Sequence, residues 1–510
     1  MLTAVDGPLT AVMMVHDSRI DRRVLDEARS LAQAGWQVTV IAAPPPEPGY
    51  RLDEDLYPDV TIIRLPLHTP PPRLPYPPAF QGVSIDWKTL FAYHDYFYAE
   101  ALKHPAHVYV AHDLPQLPAA LMAALQSGAW LVYDSHELYP EQELFIETGT
   151  IGALTDIEKW LAPLADQVIT VNRSIAEMMV IRYKIDLPAV ILNCPALHQG
   201  RALPLPSTRR LHDDLGLAPQ HKILLYQGGY SLRRNLQGVI EAMRLVEDPD
   251  VVFVLMGPDL EKDHELRQLA ERLGVLNQRV FFRAGVSPAE LLDFTVSAQA
   301  GLIPYHYSEL NNYYCTPNKL FEFIVAGLPI LANDLPELNR FVSQQGIGLN
   351  WPMGTPADIA RGIDAFFRSD VAAFQRQAQA LSPQYVWEGQ GRRVVALYQA
   401  LLTTTPKARR YQPGPAPAGL APAEPEAPLE PPPAPRLPPP PTLPTFTLAT
   451  VPLRSLIGET SHRLKLEVGR RFVRYPPLFA VLRWGYRGVV RPLWRALWGA
   501  YDRWQARRSA

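Results

Sequence analysis

Residues 315–332 read CTPNKLFEFIVAGLPILA, and this stretch contains a helix followed at once by a strand. We predict that Thr316 caps the helix, because its hydroxyl can accept an unpaired backbone N–H of the first turn, and that Pro317 opens it. Apolar residues recur at helical spacing after the cap, and Gly327 ends the helix by adopting positive φ. The apolar run at 328–332 then predicts a short buried strand.

The first turn of this helix suits a phosphorylated ligand. Backbone N–H groups and the helix dipole make a helix N-terminus an anion site, and Asn318 and Lys319 lie there. Glu322 lies further along the helix, roughly 9 Å from the cap at 1.5 Å per residue. A ligand held at the cap by its phosphates can therefore present a hydroxylated ring to the Glu322 carboxylate.

The composition predicts two or three domains and a reducing compartment. At 510 residues the chain exceeds one ordinary core, and its 47% apolar content supports several. A net charge of -2 gives no information about a polyanion partner. We expect no nucleic acid, because the tryptophans among the arginines of the tail favour a membrane interface over a phosphate binder. The cysteines are Cys194 and Cys315 alone, which argues against a disulfide framework or a cysteine-based zinc site. The sequence has no apolar run of ~18 residues that would predict a spanning helix.

Strand-like apolar runs alternate with helical patterns along two stretches of the chain. The first stretch opens with a strand, a helix and a strand at 11–15, 21–34 and 38–42, and the second opens at 223–226. Such alternation predicts an α/β fold in which parallel sheets are covered by helices on both faces. The other predicted strands are 60–65, 108–111, 130–133, 168–171, 251–256, 280–282, 300–303 and 328–332. The other predicted helices are 235–246, 264–273, 288–297, 317–325 and 389–402.

Glycines and arginines follow the first strand of the second stretch. Gly228 and Gly229 come directly after that strand, and Arg233 and Arg234 precede the next helix. Open α/β sheets bind ligands at the carboxyl ends of their strands, where glycine permits close approach and arginine binds phosphate through two hydrogen bonds. A pair of glycines most often forms only a turn. The same alternative applies to Gly257, which follows the next strand. The charged helix of the same unit favours a ligand-binding role for both.

Two strands of the first stretch end in a histidine beside an acid. His112 and Asp113 follow one strand, and His136 and Glu137 follow the next. We expect the first three of these to be catalytic, and we place Glu137 on the acceptor side with Asp17, which follows the opening strand. A metal site is the alternative, but the pattern lacks a clear third ligand and the helical His spacing. We therefore predict no metal and no other cofactor.

The motifs PNKLFE, AGLP and DLPE within 317–337 resemble the donor-site signature of GT-B glycosyltransferases of the retaining family 4 type. The YDSHE stretch at 133–137 and the opening at 21–43 are similar to the N-terminal domain of the same group. The resemblance covers about residues 10–403. It implies two facing Rossmann-like domains, with the acceptor bound by the first and a nucleotide-diphosphate sugar by the second. It also implies transfer with retention of anomeric configuration and without a metal.

The resemblance also implies roles for particular residues. Glu322 matches the glutamate that holds the nucleotide ribose in the family. Asn318 and Lys319 lie in the loop and first turn that face the diphosphate, and Pro317 before them belongs to the same predicted donor site. Arg234 stands where the family has a diphosphate-binding lysine. The two predicted catalytic histidines match family histidines near the reacting sugar and the acceptor.

Two positions differ from the family pattern. Tyr314 stands eight residues before Glu322, where the family has a second acid, and Gly229 takes the place of an arginine for which Arg233 can substitute. These differences favour an alternative function as a catalytically silent GT-B scaffold or glycan-binding module at a membrane. A nucleotide-sugar epimerase of the same fold is a further alternative, and it would need acids placed for elimination at the sugar.

The end of the chain predicts a spacer and a basic tail. The chain has 53 prolines, and their dense recurrence at 406–444 predicts an extended spacer. Residues 447–510 interleave tryptophan with arginine, which favours an anionic membrane surface over a protein partner or nucleic acid. We therefore expect a cytoplasmic enzyme, peripheral on the inner face of the plasma membrane, with a lipid-linked or cell-envelope glycan acceptor. The predicted segments are an acceptor domain at 1–195, a nucleotide-sugar domain at 196–385, a closing helix at 386–403, a linker at 404–446 and the tail at 447–510.

Overall fold

The computed structural model describes residues 7–45, 57–66, 74–80, 85, 87–197, 201–230, 234–257, 261–307 and 309–406. Almost all of the predicted linker and the whole predicted tail therefore lie outside the described residues, and so does Arg233. Among the described residues, no helix combines the length and the apolar character needed to cross a membrane.

Two parallel β-sheets form the described part of the chain. The first has the strand order β3-β2-β1-β4-β5-β6-β7, and the second has the order β10-β9-β8-β11-β12-β13. The first-sheet strands are β1 Thr10–Val15, β2 Gln37–Ala42, β3 Thr61–Arg64, β4 Val108–His112, β5 Trp130–Ser135, β6 Gln167–Thr170 and β7 Ala189–Val190. The second-sheet strands are β8 Lys222–Gln227, β9 Val251–Gly257, β10 Val280–Ala284, β11 Ala300–Ile303, β12 Ile330–Asn333 and β13 Gly348–Trp351. The predicted fold of two Rossmann-like domains is confirmed.

Helices connect the strands, as parallel pairing requires. In the first domain they are α1 Arg22–Gln33, α2 Trp87–Leu90, α3 His94–Lys103, α4 Leu117–Ser127, α5 Glu143–Glu147, α6 Ile151–Leu161 and α7 Arg173–Tyr183. Those that follow are α8 Arg210–Leu215, α9 Leu236–Ala242, α10 Glu261–Arg272, α11 Pro288–Thr295, α12 Leu310–Tyr313, α13 Asn318–Val325, α14 Pro336–Phe341, α15 Pro356–Arg368, α16 Val371–Leu381 and α17 Trp387–Leu401.

The strand order reverses once in each sheet, between β1 and β4 and between β8 and β11. Ligands of open α/β sheets bind outside the carboxyl ends of the strands at such a reversal. An interior strand of each sheet is buried along its length, β4 in the first and β9 in the second, which explains their continuous apolar sequences. The side chains that line the cleft therefore lie at the strand ends rather than along the buried strands.

The last helix, α17, packs on the first domain rather than on the second. Trp387, Val394 and Tyr398 belong to the same buried core as β1 and α1. The backbone N–H of Trp387 donates to the carbonyl of Pro195 at 3.0 Å, so the two chain segments that cross between the domains lie side by side.

The helix α13 begins one residue later than predicted. Asn318 is the first residue of α13, Pro317 occupies the cap position with extended backbone, and no side chain caps the helix. Thr316 was therefore wrong as the cap. Its buried hydroxyl lies 3.3 Å from the Asn172 amide nitrogen, which donates to it from the first domain. At the other end, Gly327 has φ +65°, as predicted.

Candidate active site

A cavity of about 590 Å³ lies between the carboxyl ends of the two sheets. Both domains contribute polar residues to its wall, and most of the predicted site residues are among them. Those that line the cavity are Asp17, Asp113, His136, Glu137, Gly228, Gly229, Arg234, Gly257, Pro317, Asn318, Lys319 and Glu322. The structure therefore brings the candidates from the two sheets together in one cleft.

The second-domain wall carries two cations, Lys319 and Arg234, that make no direct ion pair within the described part of the chain. Glu322 and Glu137, which also line the cavity, act on them only at longer range. The Lys319 side chain is only 8% exposed, yet among the described residues no carboxylate lies within ion-pair distance of Lys319 or Arg234. Burial lowers the pKa of the Lys319 ammonium, because the charged form loses hydration. Gly228 has φ +107°, and a Cβ built on it would lie 3.6 Å from Lys319 Nζ. Glycine at this position therefore keeps the approach to the ammonium open.

Two tyrosines hold these cations in place. Lys319 Nζ donates to the Tyr305 hydroxyl at 2.6 Å and lies 4.7 Å from the centre of the Tyr226 ring. The Arg234 guanidinium lies 3.9 Å from the centre of the Tyr305 ring. Aromatic faces stabilise cations without neutralising them, so the positive charge of the wall remains available to a ligand.

On the same wall, Glu322 accepts a hydrogen bond from Gln227 Nε2 at 2.6 Å. Gln227 ends β8 and is 2% exposed, and its amide oxygen accepts from the Thr295 hydroxyl at 2.9 Å. Glu322 lines the cleft while its neighbours on α13 are buried in the core. The helix thus anchors the carboxylate and directs it into the cavity.

The first-domain wall rests on a buried cluster of charges. The Arg23 guanidinium donates to both oxygens of Asp134 at 2.9 Å, with side-chain exposures of 1% and 0%. His136 Nε2 lies 3.3 Å from Asp134 Oδ2 and 3.1 Å from His112 Nδ1. His112 is fully buried and does not line the cavity, so it supports the wall from behind.

Charge and burial set the protonation of this cluster. Burial alone would lower the pKa of His136, but the charges of Asp113 and Asp134 raise it to about 10. Burial alone would raise the pKa of Asp134, but the charges of Arg23 and His136 hold it well below its usual range. Burial raises the pKa of Asp113 to about 7. His136 is therefore cationic at neutral pH, and Asp113 can exchange a proton there.

Asp113 is held in a strained backbone conformation at the cleft. Its φ is +63° and its ψ is 166°, a region that residues other than glycine rarely adopt. Its carboxylate accepts from the backbone N–H of His136 at 2.9 Å, which fixes the side chain beside the imidazole. The strain thus places an acid and a cationic histidine side by side on the wall.

The side chains of His112, Asp134 and His136 lie within 4.8 Å of one another, as metal ligands do. Asp134 thereby supplies the third group that the sequence pattern lacked. Both Asp134 oxygens already accept from Arg23, however, and a guanidinium in direct contact repels a divalent cation. The residues present fit a hydrogen-bonded charge cluster better than a metal centre.

Polar contacts made by Asn311, Asn172 and Ser174 join the domains across the cleft. The Asn311 side chain donates to Glu137 and accepts from the backbone N–H of Leu138 at 3.1 Å. The Asn172 amide donates to the Tyr314 carbonyl at 2.7 Å. The backbone N–H of Ser174 donates to Glu337 at 3.1 Å, and its hydroxyl donates to the same oxygen. The cavity is therefore bounded by both domains at once.

Comparison with known proteins identifies the two domains separately. Residues 20–190 match the family described as "Glycosyl transferase 4-like domain", and residues 207–381 match "Glycosyl transferases group 1". Together the two matches cover more than half of the chain. The chain belongs to the GT-B glycosyltransferases.

Solved structures share the fold of the described part of the chain. Sucrose-phosphate synthase of Thermosynechococcus elongatus is 18% identical, with a TM-score of 0.61 over 78% of this chain and 99% of its own. Anabaena Alr3699/HepE, in complex with UDP and glucose, is 16% identical, with a TM-score of 0.60 over 77% of this chain and 100% of its own. At such identities the likeness establishes the fold.

A curated relative matches a shorter stretch. TuaH of Bacillus subtilis (strain 168), named as a teichuronic acid biosynthesis glycosyltransferase, is 28% identical over 118 residues, which is 23% of this chain. The match spans 28% of the length of that relative.

Sequence reasoning missed several residues that shape the cleft of this GT-B glycosyltransferase. Arg23 and Asp134 pair across 111 positions, and Gln227 meets Glu322 across 95, so neither contact has a local signal. A usable sign was Gln227 itself, a polar residue that ends an otherwise apolar strand directly before Gly228. Arg233, the remaining predicted site residue, lies outside the described part of the chain.

Proposed function

We propose that this protein transfers a sugar from a nucleotide-diphosphate sugar to a lipid-linked or cell-envelope glycan acceptor, with retention of anomeric configuration. The observation that carries the proposal is the pair of cations Lys319 and Arg234, which make no direct ion pair among the described residues of the cleft. An anion of two charges completes that wall, and a diphosphate is such an anion. Glu322 on the same wall supplies an acceptor for hydroxyl groups of the ribose.

The proposed reaction breaks the bond between the anomeric carbon and the diphosphate oxygen. Negative charge grows on the leaving diphosphate, where Lys319, Arg234 and the N-terminus of α13 stabilise it without a metal. The acceptor oxygen bonds to the anomeric carbon on the face that the diphosphate leaves, and its proton passes to the departing phosphate oxygen. Asp113 and His136, fixed on the opposite wall, orient the sugar and the acceptor hydroxyl.

The comparisons support the donor and acceptor classes by analogy. Anabaena Alr3699/HepE was solved with UDP-glucose, and its fold matches that of this chain with a TM-score of 0.59. The name of TuaH supports a cell-envelope acceptor. We also propose attachment of the basic tail to the inner membrane surface. Flotation with anionic liposomes tests it: full-length protein floats and protein lacking 447–510 does not, while equal flotation of both contradicts attachment.

A catalytically silent GT-B module is the second candidate. The observation that favours it is Tyr314, which replaces the second acid of the family pattern and does not line the cavity. A silent module predicts binding of sugar without turnover of any donor.

A donor screen by calorimetry tests the proposal. UDP-glucose, UDP-galactose, UDP-N-acetylglucosamine, ADP-glucose and GDP-mannose are titrated into the protein and into Glu322→Ala, with Glu247→Ala as the control because Glu247 is exposed on the same domain. We expect one donor to bind, weakened by Glu322→Ala alone and unaffected by chelator. Absence of binding by every donor contradicts the enzyme proposal, and binding without turnover supports the silent module. NMR of the product reads its anomeric configuration.

A further inference from the structure

Glu322 lies at the end of a buried chain of side-chain hydrogen bonds. Thr295 donates to Gln227 Oε1 at 2.9 Å, and Gln227 Nε2 donates to Glu322 Oε2 at 2.6 Å. Thr295 is 0% exposed and Gln227 is 2% exposed. The three residues come from α11, β8 and α13, so the domain core itself holds the carboxylate.

The direction of this chain follows from hydrogen-bonding chemistry. An ionised carboxylate can only accept, so Gln227 must turn its amide nitrogen toward Glu322 and its amide oxygen toward Thr295. The Thr295 hydroxyl must then donate, although its single hydrogen also has the Leu291 carbonyl at 2.8 Å as a competing acceptor. We call these hydrogen bonds from Thr295 through Gln227 to Glu322 the relay. Among its three members, the charge of Glu322 alone sets the direction in which the hydrogen bonds point.

The relay occupies one oxygen of Glu322 and leaves the other for a ligand. Oε2 is taken by Gln227, while among the described residues no donor meets Oε1. The side chain lines the cleft, where Oε1 can accept from a hydroxyl. An amide that grips one oxygen also stops rotation of the carboxylate, so the second oxygen keeps a fixed direction.

We propose that Gln227 and Thr295 are positioning residues that aim Glu322 at the ribose and thereby set the preference for ribonucleotide over deoxyribonucleotide donors. This inference rests on the proposed function, in which Glu322 holds the ribose of the donor. A freely rotating carboxylate would accept from solvent or from either face of the sugar. A carboxylate held in one orientation accepts a hydrogen bond only from a hydroxyl at one position of the sugar. The relay therefore adds selectivity for that hydroxyl.

Matched variants separate this role from folding. Thr295→Val keeps the shape and removes the donor to Gln227, Gln227→Met keeps the length and removes the donor to Glu322, and Thr295→Ser restores the hydroxyl. Circular dichroism and thermal unfolding check that each variant is folded. The probes are UDP, ADP and GDP, and whichever binds most tightly is compared with its 2′-deoxy and 3′-deoxy forms by calorimetry.

We expect the wild type to bind the ribonucleotide about 10-fold more tightly than one of the deoxy forms, as one hydrogen bond to a charged group predicts. The ratio falls toward one in Gln227→Met and to an intermediate value in Thr295→Val, and it returns in Thr295→Ser. Unchanged ratios in both folded variants, or a ratio of one in the wild type, overturn the inference and leave the donor proposal intact. If no nucleoside diphosphate binds the wild type, both fall together.

Discussion

The two walls of the cleft handle charge in opposite ways. On the first-domain wall, the Asp134 carboxylate is in close contact with two cationic groups, the Arg23 guanidinium and the His136 imidazole. On the second-domain wall, Lys319 and Arg234 contact aromatic rings and make no direct ion pair among the described residues. Paired charges keep their geometry without a ligand, whereas unpaired cations are stabilised when an anionic ligand binds beside them. The first wall is therefore built for shape and the second for binding.

The largest expected effect comes from breaking the paired wall. Asp134→Asn leaves the Arg23 guanidinium buried without its anion, which costs roughly 3–5 kcal/mol. We expect a lower urea midpoint for the unfolding transition of the first domain. The control is Asp358→Asn, since the exposed Asp358–Arg361 pair contributes about 1 kcal/mol or less. Equal losses in the two variants would show that the buried cluster is no tighter than a surface pair.

Removing charge from the unpaired wall should reduce activity and spare stability. Lys319→Met keeps the length of the side chain and removes the ammonium, so the leaving diphosphate loses one cation. We expect kcat to fall by roughly 10²–10³-fold, as when one oxyanion contact is removed. The urea midpoint should hold or rise, because a desolvated cation has been removed. Lys222→Met is the control, since Lys222 pairs with Asp248 near the surface of the same domain. A large loss of stability would contradict the contrast between the walls.

Rising pH should weaken the paired wall. The pKa of His136 is raised to about 10, above the ordinary value of 6.5, so its stabilisation is complete below pH 6.5 and is lost as pH rises toward 10. Burial raises the pKa of Glu27 to about 8, so this group also makes the folded state less stable as pH rises toward 8. We expect a lower urea midpoint at pH 9 than at pH 6, and a smaller difference in His136→Asn. A midpoint that climbs over this range would refute the assignment.

The smallest expected effect comes from the tyrosine that supports the glycine turn. Tyr226 donates to the Gly229 carbonyl at 2.7 Å, and its ring faces Lys319. Tyr226→Phe keeps the ring and loses a hydrogen bond of about 0.5–1.5 kcal/mol, so the KM for the donor should rise several-fold with kcat little changed. Tyr93→Phe, at an exposed tyrosine, should leave both parameters alone. A fall in kcat alone would argue that the hydroxyl acts on the chemical step.

Local patterns predicted the sheets and the strand ends that carry the site. Buried strands of a parallel sheet are continuous apolar runs, and the residue after each run is polar or a glycine where the chain enters the cleft, as at Asp113 and Gly228. The cap of α13 was wrong because Thr316 contacts the other domain instead of its own helix. The Arg23–Asp134 pair could not be predicted, since only the folded sheet brings β5 beside the first helix.

Placement of α17 was also beyond periodicity. Its apolar stripe predicts that the helix packs on a core but does not say which one. The Tyr398 hydroxyl donates a hydrogen bond to Glu27, a residue of the first helix. A hydrogen bond across 371 positions leaves no trace in sequence spacing. The helix was expected to close the globular part, and the structure shows that it closes the first domain.

Because the chain crosses back to the first domain to form α17, two backbone segments connect the domains. They are tied together where Trp387 meets Pro195, and Leu197 N–H donates to Glu388 at 3.0 Å beside that contact. A single strand would act as a swivel, free to turn about any axis. Two connecting segments held side by side resist twisting of one domain against the other but still allow bending. We therefore expect the two walls of the cleft to approach and separate along one path. We expect each closure of the cleft to return Glu322 and His136 to the same alignment.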